Sequence, residues 1–83
     1  MGYKITFKNS VWKDLKKLQK DDAAKILKSV EHDLGEQANQ YPLLSGKFAG
    51  LRKYRVGKYR IIYTLQADTV LILRIGHRGD VYR

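Results

Sequence analysis

Apolar residues near the start of the chain alternate with polar ones and then recur at helical spacing. Tyr3, Ile5 and Phe7 alternate, which predicts a strand over about residues 3–8. Two apolar stripes with spacings of three and four residues follow: Val11, Trp12, Leu15 and Leu18, then Ala23, Ile26, Leu27, Val30 and Leu34. These stripes predict two helices, and the short turn between them makes a helical hairpin.

Both predicted helices have suitable start residues, and the second also has a stop residue. Asn9 or Ser10 can cap the first helix, and Asp21 or Asp22 the second, because their side-chain oxygens can accept hydrogen bonds from free backbone amides. Gly35 follows the last apolar position and is a natural stop for the second helix.

The pattern changes to that of strands after a loop marked by Pro42, Gly46 and Gly50. Branched and aromatic residues predict three strands, over about residues 51–56, 59–66 and 69–76. The order strand, helix, helix, strand, strand, strand predicts a single α+β domain over residues 1–83. In this domain an antiparallel sheet packs against the N-terminal helical hairpin.

The stretch LRKYRVGKYRIIY, residues 51–63, predicts the register of the first hairpin. Gly57 and Lys58 fit the two central positions of a type II′ turn, which requires Gly first. The turn then pairs Val56 with Tyr59, Arg55 with Arg60, Tyr54 with Ile61, and Lys53 with Ile62. One face of the hairpin becomes core, with Tyr54, Val56, Tyr59, Ile61 and Tyr63, and the other face carries Lys53, Arg55 and Arg60.

Two arginines that stand opposite each other need compensation. Like charges in such a pair cost a few tenths of a kcal/mol up to ~1 kcal/mol, and no acidic residue lies in the hairpin sequence to offset the repulsion between Arg55 and Arg60. An anionic ligand would offset it. Converging cations suit a phosphodiester, because electrostatic contact with the backbone supplies most nonspecific affinity for nucleic acids.

The distribution of charge supports an anionic partner. The net charge is +9, and every arginine lies beyond Gly50, whereas the earlier residues use only lysine, mixed with Asp and Glu. Arginine offers a planar fork that suits phosphate. There is no cysteine and no long apolar run, so we expect a cytoplasmic protein without disulfides, thiolate metal sites or membrane contact.

The last ten residues from Arg74, RIGHRGDVYR, add three candidate functional residues. Taken singly, His77 reads as an edge residue, Arg78 as an ion-pair partner of Asp80, and Tyr82 as an apolar plug. Together, beside the arginine face, they indicate a site, because proton transfer, charge stabilisation and base stacking each need one such side chain.

Three segments give the chain a family resemblance: LKKL in the first helix, then LLSGKFAGLRKYRVGKYRIIY, and finally IGHRGDVYR. In this order and spacing they resemble the RelE/ParE superfamily of toxins from prokaryotic toxin–antitoxin pairs, and more closely its RelE-type branch. The resemblance implies a toxin that enters the ribosomal A site and cleaves mRNA there. It implies no metal and no small-molecule cofactor, and a cognate RelB-like antitoxin as partner besides ribosome and mRNA.

The resemblance also implies roles for particular residues. Lys53 and Arg55 would hold the phosphate and assist deprotonation of the 2′-hydroxyl, Arg60 and Arg78 would stabilise developing charge, and Tyr82 would stack on or orient a base.

The general base departs from the family pattern. The second member of the basic pair is lysine in the best-studied pattern and Arg55 here, and a guanidinium essentially cannot release its proton. Lys53 or His77 is therefore the candidate base. An imidazole with an ordinary pKa near 6.5 could serve, as a histidine in this region does in related toxins.

Two other classes of function stay open. A ParE-like toxin shares the fold and poisons DNA gyrase, and a noncatalytic RNA- or ribosome-binding module would also explain the arginine face. Retention of Arg60, Arg78 and Tyr82 favours the nuclease over the gyrase poison.

Overall fold

The computed structural model of the protein describes residues 2–77. This described part begins with strand β1 and two helices and ends with three strands. These elements are β1 (Lys4–Phe7), α1 (Asn9–Lys16), α2 (Lys20–Ser29), β2 (Arg52–Val56), β3 (Tyr59–Gln66) and β4 (Thr69–His77). The predicted α+β class is confirmed, and the last three strands begin and end within one residue of their predicted bounds. No helix within the described part is long and apolar enough to cross a membrane.

The four strands form one sheet in the order β1-β4-β3-β2. β2, β3 and β4 make an antiparallel meander, as predicted, while β1 pairs parallel with β4, with Ile5 opposite Val70. The sheet is therefore mixed rather than wholly antiparallel. The helices and the meander between β1 and β4 supply the long connection that a parallel pair requires.

The core lies between the helices and one face of the sheet. The largest fully buried side chains come from both layers: Val11, Ile26, Val30, Leu34, Ile61, Tyr63, Val70 and Ile72. Trp12, which belongs to the predicted apolar stripe of α1, is 46% exposed and packs against Phe7, with ring centroids 5.0 Å apart. The stripe of α1 is thus narrower than its sequence indicates.

The predicted helix caps are wrong. The residues that precede α1 and α2 are Lys8 and Gln19, and neither helix start has a side-chain cap. The Lys8 amide donates a 2.9 Å hydrogen bond to the Ile72 carbonyl, which keeps the chain extended through Lys8, so α1 begins directly at Asn9. Asp21 and Asp22 instead lie in the first turn of α2, where a negative charge favours the helix dipole.

The predicted stop at Gly35 is also wrong. A π-helical turn over Val30–Leu34 follows α2, and the helical path continues through α3 (Gly35–Gln37). Gly35 has an ordinary helical φ of −64°. Because the helical path continues past Gly35, Ala38 is buried together with Val30 and Leu34, the first and last residues of the π-helical turn. The Gly35 carbonyl accepts a 2.7 Å hydrogen bond from the Tyr3 amide.

Candidate functional site

The turn at Gly57 sets the positions of the basic side chains. Gly57 has a φ of +57° and Lys58 a negative φ, as a type II′ turn requires. All four predicted pairs are present, with Arg55 opposite Arg60 and Lys53 opposite Ile62. The predicted core face is also confirmed, because its five residues are all buried.

Three of the predicted site residues line one cleft. Lys53, Arg55 and Arg60 share a cavity of about 320 Å³ with Tyr41, Pro42 and Tyr54. Lys53 and Arg60 are half-buried, Arg55 is exposed, and none of the described residues that line the cleft is acidic. We call this feature the cation cleft. Its charge and partial burial favour a bound anion over bulk counterions.

The loop before β2 forms one wall of the cation cleft. The Lys53 amide donates to the Pro42 carbonyl at 3.1 Å, and the Leu44 amide donates to the Leu51 carbonyl at 2.8 Å. These bonds attach residues 42–44 to the outer edge of β2 in the manner of a short extra strand. The wall is thereby fixed to the strand that carries Lys53 and Arg55.

Arg52 ties the same loop from its other end. Its guanidinium donates to the carbonyl oxygens of Tyr41 at 2.7 Å and Asn39 at 3.3 Å. Arg52 therefore holds the backbone of the wall, and its charge is used in part for structure rather than for a ligand.

Tyr54, which lines the cation cleft, forms a hydrogen-bonded pair with Asp33. The Tyr54 hydroxyl donates to the Asp33 carboxylate, and the Tyr41 and Tyr54 rings meet edge to face at 4.9 Å. Burial, and then the bond to Asp33, raise the pKa of Tyr54 well above its usual range. The Tyr54 bond, followed by the His32 bond, lowers the pKa of Asp33. Burial likewise raises the pKa of Tyr41, so both phenols stay neutral at physiological pH.

His77 does not join the cation cleft. It stands opposite Tyr59, with ring centroids 5.2 Å apart, while Arg60 stands opposite Gly76. Because neighbouring residues of a strand face opposite sides, His77 lies on the same side of the sheet as the buried Tyr59. There it lines a separate cleft of about 440 Å³ with Asp14 of α1 and with Lys17 and Leu18, which follow that helix.

The remaining predicted site residues, Arg78 and Tyr82, lie outside the described residues. The residues that the sequence analysis missed as site residues are Tyr41 and Pro42, an aromatic and proline pair that follows the polar Asn39 and Gln40 in the loop. Within residues 2–77, no three His, Asp or Glu side chains come close enough together to hold a metal ion.

Comparisons with known proteins identify the family. Residues 5–82 match the family model of the ParE toxin of the type II toxin–antitoxin system parDE. Toxin RelG of Mycobacterium tuberculosis is 34% identical over 90 residues, which cover 100% of this chain and 99% of the relative.

Solved structures agree with this assignment. The toxin–antitoxin complex RelBE2 of Mycobacterium tuberculosis superimposes with a TM-score of 0.88 at 30% identity, covering 96% of this chain and 95% of the other. The RelE–RelB complex of Pyrococcus horikoshii superimposes with a TM-score of 0.68 at 26% identity, covering 95% and 98%. The chain therefore belongs to the RelE/ParE superfamily of toxins from type II toxin–antitoxin systems.

Proposed function

We propose that this toxin is a ribosome-dependent endoribonuclease that cleaves mRNA in the ribosomal A site. The observation that carries the proposal is the cation cleft, where Lys53, Arg55 and Arg60 line about 320 Å³ of partly enclosed space. Cations fixed in such a space can stabilise the charge that develops on a phosphate during cleavage. The likeness to RelG and to RelBE2 supports the RelE-type activity over others of the superfamily.

The proposed reaction uses the RNA's own nucleophile. The 2′-hydroxyl loses its proton to a base and attacks the adjacent phosphorus, the bond from phosphorus to the 5′-oxygen breaks, and that oxygen takes up a proton. The products are a 2′,3′-cyclic phosphate and a free 5′-hydroxyl. Arg55 holds the phosphate, and Arg60, with Arg78 as predicted from sequence, stabilises the negative charge on phosphate and leaving group. Tyr82 is proposed to stack on or orient a base.

Lys53 is the proposed general base. It lies in the cation cleft, whereas His77 lies on the other side of the sheet, and Arg55 cannot give up its proton. Only the uncharged form of this amine has the lone pair that can receive the proton of the 2′-hydroxyl, and the ammonium formed by that transfer then adds its charge to the phosphate contacts.

The proposed partner is a RelB-like antitoxin in the cytoplasm. The similar structures from Pyrococcus horikoshii and Methanococcus jannaschii are complexes of RelE with RelB. An antitoxin segment with acidic residues complements a chain of net charge +9 and would cover the cation cleft. Growth arrest on expression of the toxin, relieved by co-expression of the protein from the adjacent gene, is the expected behaviour.

Toeprinting on a translated message tests the nuclease activity. The wild-type protein should produce cuts in the A-site codon, and Arg60→Ala should lower the cleavage rate about 10²-fold or more, equivalent to ~2–4 kcal/mol of transition-state stabilisation. Lys58→Ala removes the same charge from a residue that does not line the cation cleft, so it should cleave like wild type. A full cleavage rate for Arg60→Ala would remove that residue from the site.

A gyrase poison is the second candidate, because the matching family model is that of the ParE toxin. Accumulation of gyrase–DNA cleavage complexes together with an uncut message would establish it. A protein that stalls the ribosome at the A site and leaves both nucleic acids intact would instead be a noncatalytic binding module.

A further inference from the structure

Tyr41 and Pro42 give the cation cleft an apolar wall that no step of the proposed cleavage uses. Tyr41 is half-buried, Pro42 is exposed, and both line the same cavity as the three cations. A site that bound only a phosphate would gain nothing from an aromatic ring and a proline ring. The wall therefore points to a ligand that has a flat apolar part beside its charge.

The wall is held in place before any ligand arrives. The Arg52 guanidinium binds the Tyr41 carbonyl at 2.7 Å, and the Lys53 amide binds the Pro42 carbonyl at 3.1 Å. The Tyr41 ring packs edge to face on Tyr54, whose hydroxyl is in turn bound by Asp33. A ring supported on both its backbone and its side chain loses little conformational freedom when a ligand stacks on it.

The size of the cleft limits the ligand. Its volume of about 320 Å³ lies at the lower end of the range for small-molecule sites, roughly 300–1,000 Å³. One nucleotide fits such a space and a folded duplex does not. Positive charge along a backbone path with an aromatic platform beside it is the usual arrangement for binding single-stranded nucleic acid.

We propose that Tyr41 is a nucleobase platform, on which one base of single-stranded RNA stacks while its phosphate contacts Lys53, Arg55 and Arg60. This inference rests on the proposed function, because it takes RNA as the ligand of the cation cleft. Tyr41 acts here as a positioning residue. The stacked base fixes where the neighbouring phosphate lies, and the ring tolerates any base because every base has a flat face.

Binding of an uncleavable oligonucleotide tests the platform without relying on catalysis. The probe is a single-stranded RNA trinucleotide with 2′-O-methyl groups in place of its 2′-hydroxyls, compared with the same backbone lacking all three bases. Wild type should bind the probe that has bases at least about 10-fold more tightly, and ~1.4 kcal/mol, a factor of about 10, is within the range for one base on one aromatic ring. Tyr41→Ala should lower this ratio about 10-fold, leaving only what the proposed stacking on Tyr82 adds, and Tyr41→Phe should keep the wild-type ratio.

Tyr3→Ala is the matched control. Tyr3, like Tyr41, is a half-buried tyrosine that packs on the core, but it does not line the cation cleft. It should lower the melting temperature and leave the ratio of the two affinities unchanged. All variants are measured well below their melting temperatures, so that loss of folded protein does not imitate loss of stacking.

The proposal is overturned if Tyr41→Ala keeps the wild-type ratio of the two affinities, whether or not it weakens both. It is also overturned if wild type binds the two probes with equal affinity. The proposed function fails separately. A wild-type protein that prefers the probe with bases but never cuts a translated message has the platform without the nuclease activity. A protein that cuts the message but shows no preference for bases has the nuclease activity without the platform.

Discussion

At the scale of single residues, the choice of general base depends on which side of the sheet each candidate side chain occupies. Lys53 lies on β2 and His77 on β4, with β3 between them. Lys53 lines the cation cleft, whereas His77 lines the cleft next to α1. A base must come within hydrogen-bond reach of the proton that it removes. In the proposed reaction, an RNA phosphate held by Arg55 and Arg60 would place the 2′-hydroxyl near Lys53.

We expect Lys53→Met to slow single-turnover cleavage of ribosome-bound message about 10²-fold or more, the ordinary contribution of a general base. Methionine keeps much of the length of the side chain and removes the amine. His77→Ala should cleave within about threefold of wild type, since acid–base effects require contact with the substrate. The reverse order, with the larger loss in His77→Ala, would assign the base to histidine and require the RNA to pass around the edge of the sheet.

At the scale of secondary-structure elements, Gly35 and Gly57 differ in whether their backbone conformation requires glycine. Gly57 sits in the β2–β3 turn with a φ of +57°, and Gly35 continues a helix with a φ of −64°. A methyl group added at either position meets no atom within 4 Å, so the backbone conformation alone decides the effect of alanine.

Gly57→Ala should lower the free energy of unfolding by ~1–2 kcal/mol, because L-residues are strained at positive φ. Gly35→Ala should raise the free energy of unfolding by ~0.5–1 kcal/mol. Alanine lowers the conformational entropy of the unfolded chain and has a higher helix propensity than glycine. Urea unfolding of both variants measures the two effects. If Gly35→Ala were as destabilising as Gly57→Ala, the helical path through residue 35 would be incorrect.

The hydrogen bond from Tyr54 to Asp33 joins β2 to the π-helical turn and makes part of the stability depend on pH. The bond lowers the pKa of Asp33, so its contribution is fully present above the carboxyl group's unfolded pKa of about 3.9. The contribution is lost as the pH falls through the lower pKa of the folded state. Protonation leaves a neutral acceptor, which binds a hydroxyl less strongly than a carboxylate does.

Tyr54→Phe should therefore melt below wild type at pH 7, and the difference should shrink as the pH falls below about 4. Tyr63→Phe is the control, because the Tyr63 hydroxyl donates to the backbone carbonyl of Ala38 at 2.5 Å and involves no carboxylate. Its deficit should stay constant over the same range. A Tyr54→Phe deficit that did not change with pH would show that the bond to Asp33 adds nothing to stability.

Local chemistry explains which elements the sequence predicted. The register of the β2–β3 hairpin was predictable because the turn at Gly57 and the alternating residues of both strands are contiguous in the sequence. A two-residue turn then allows only one pairing of the strands. The helix caps failed because the Lys8 amide is bound by Ile72, a partner 64 positions away. Tyr41 was missed for the same reason, since its place in the cation cleft depends on bonds to β2.

Charge at the scale of the whole molecule is divided between two regions. All six arginines lie beyond Gly50, whereas the cations before it are lysines mixed with Asp and Glu. The structure puts the lysine-rich part on the exposed surfaces of α1 and α2, and Lys53, Arg55 and Arg60 in the cation cleft. A net charge of +9 can therefore attract RNA in two ways, through the summed field of all the cations or through contacts between a few cations and particular phosphates.

The salt dependence of RNA binding distinguishes these two modes. Each phosphate contact on a single strand adds about −0.7 to the slope of log affinity against log salt concentration. Arg60→Ala should therefore make the slope shallower by about 0.7, measured with the uncleavable trinucleotide between about 50 and 300 mM salt. Lys28→Ala, a change of the same charge on an exposed part of α2, should leave the slope unchanged. Equal changes in both variants would mean that the RNA responds to total charge and that the cation cleft holds no phosphate of its own.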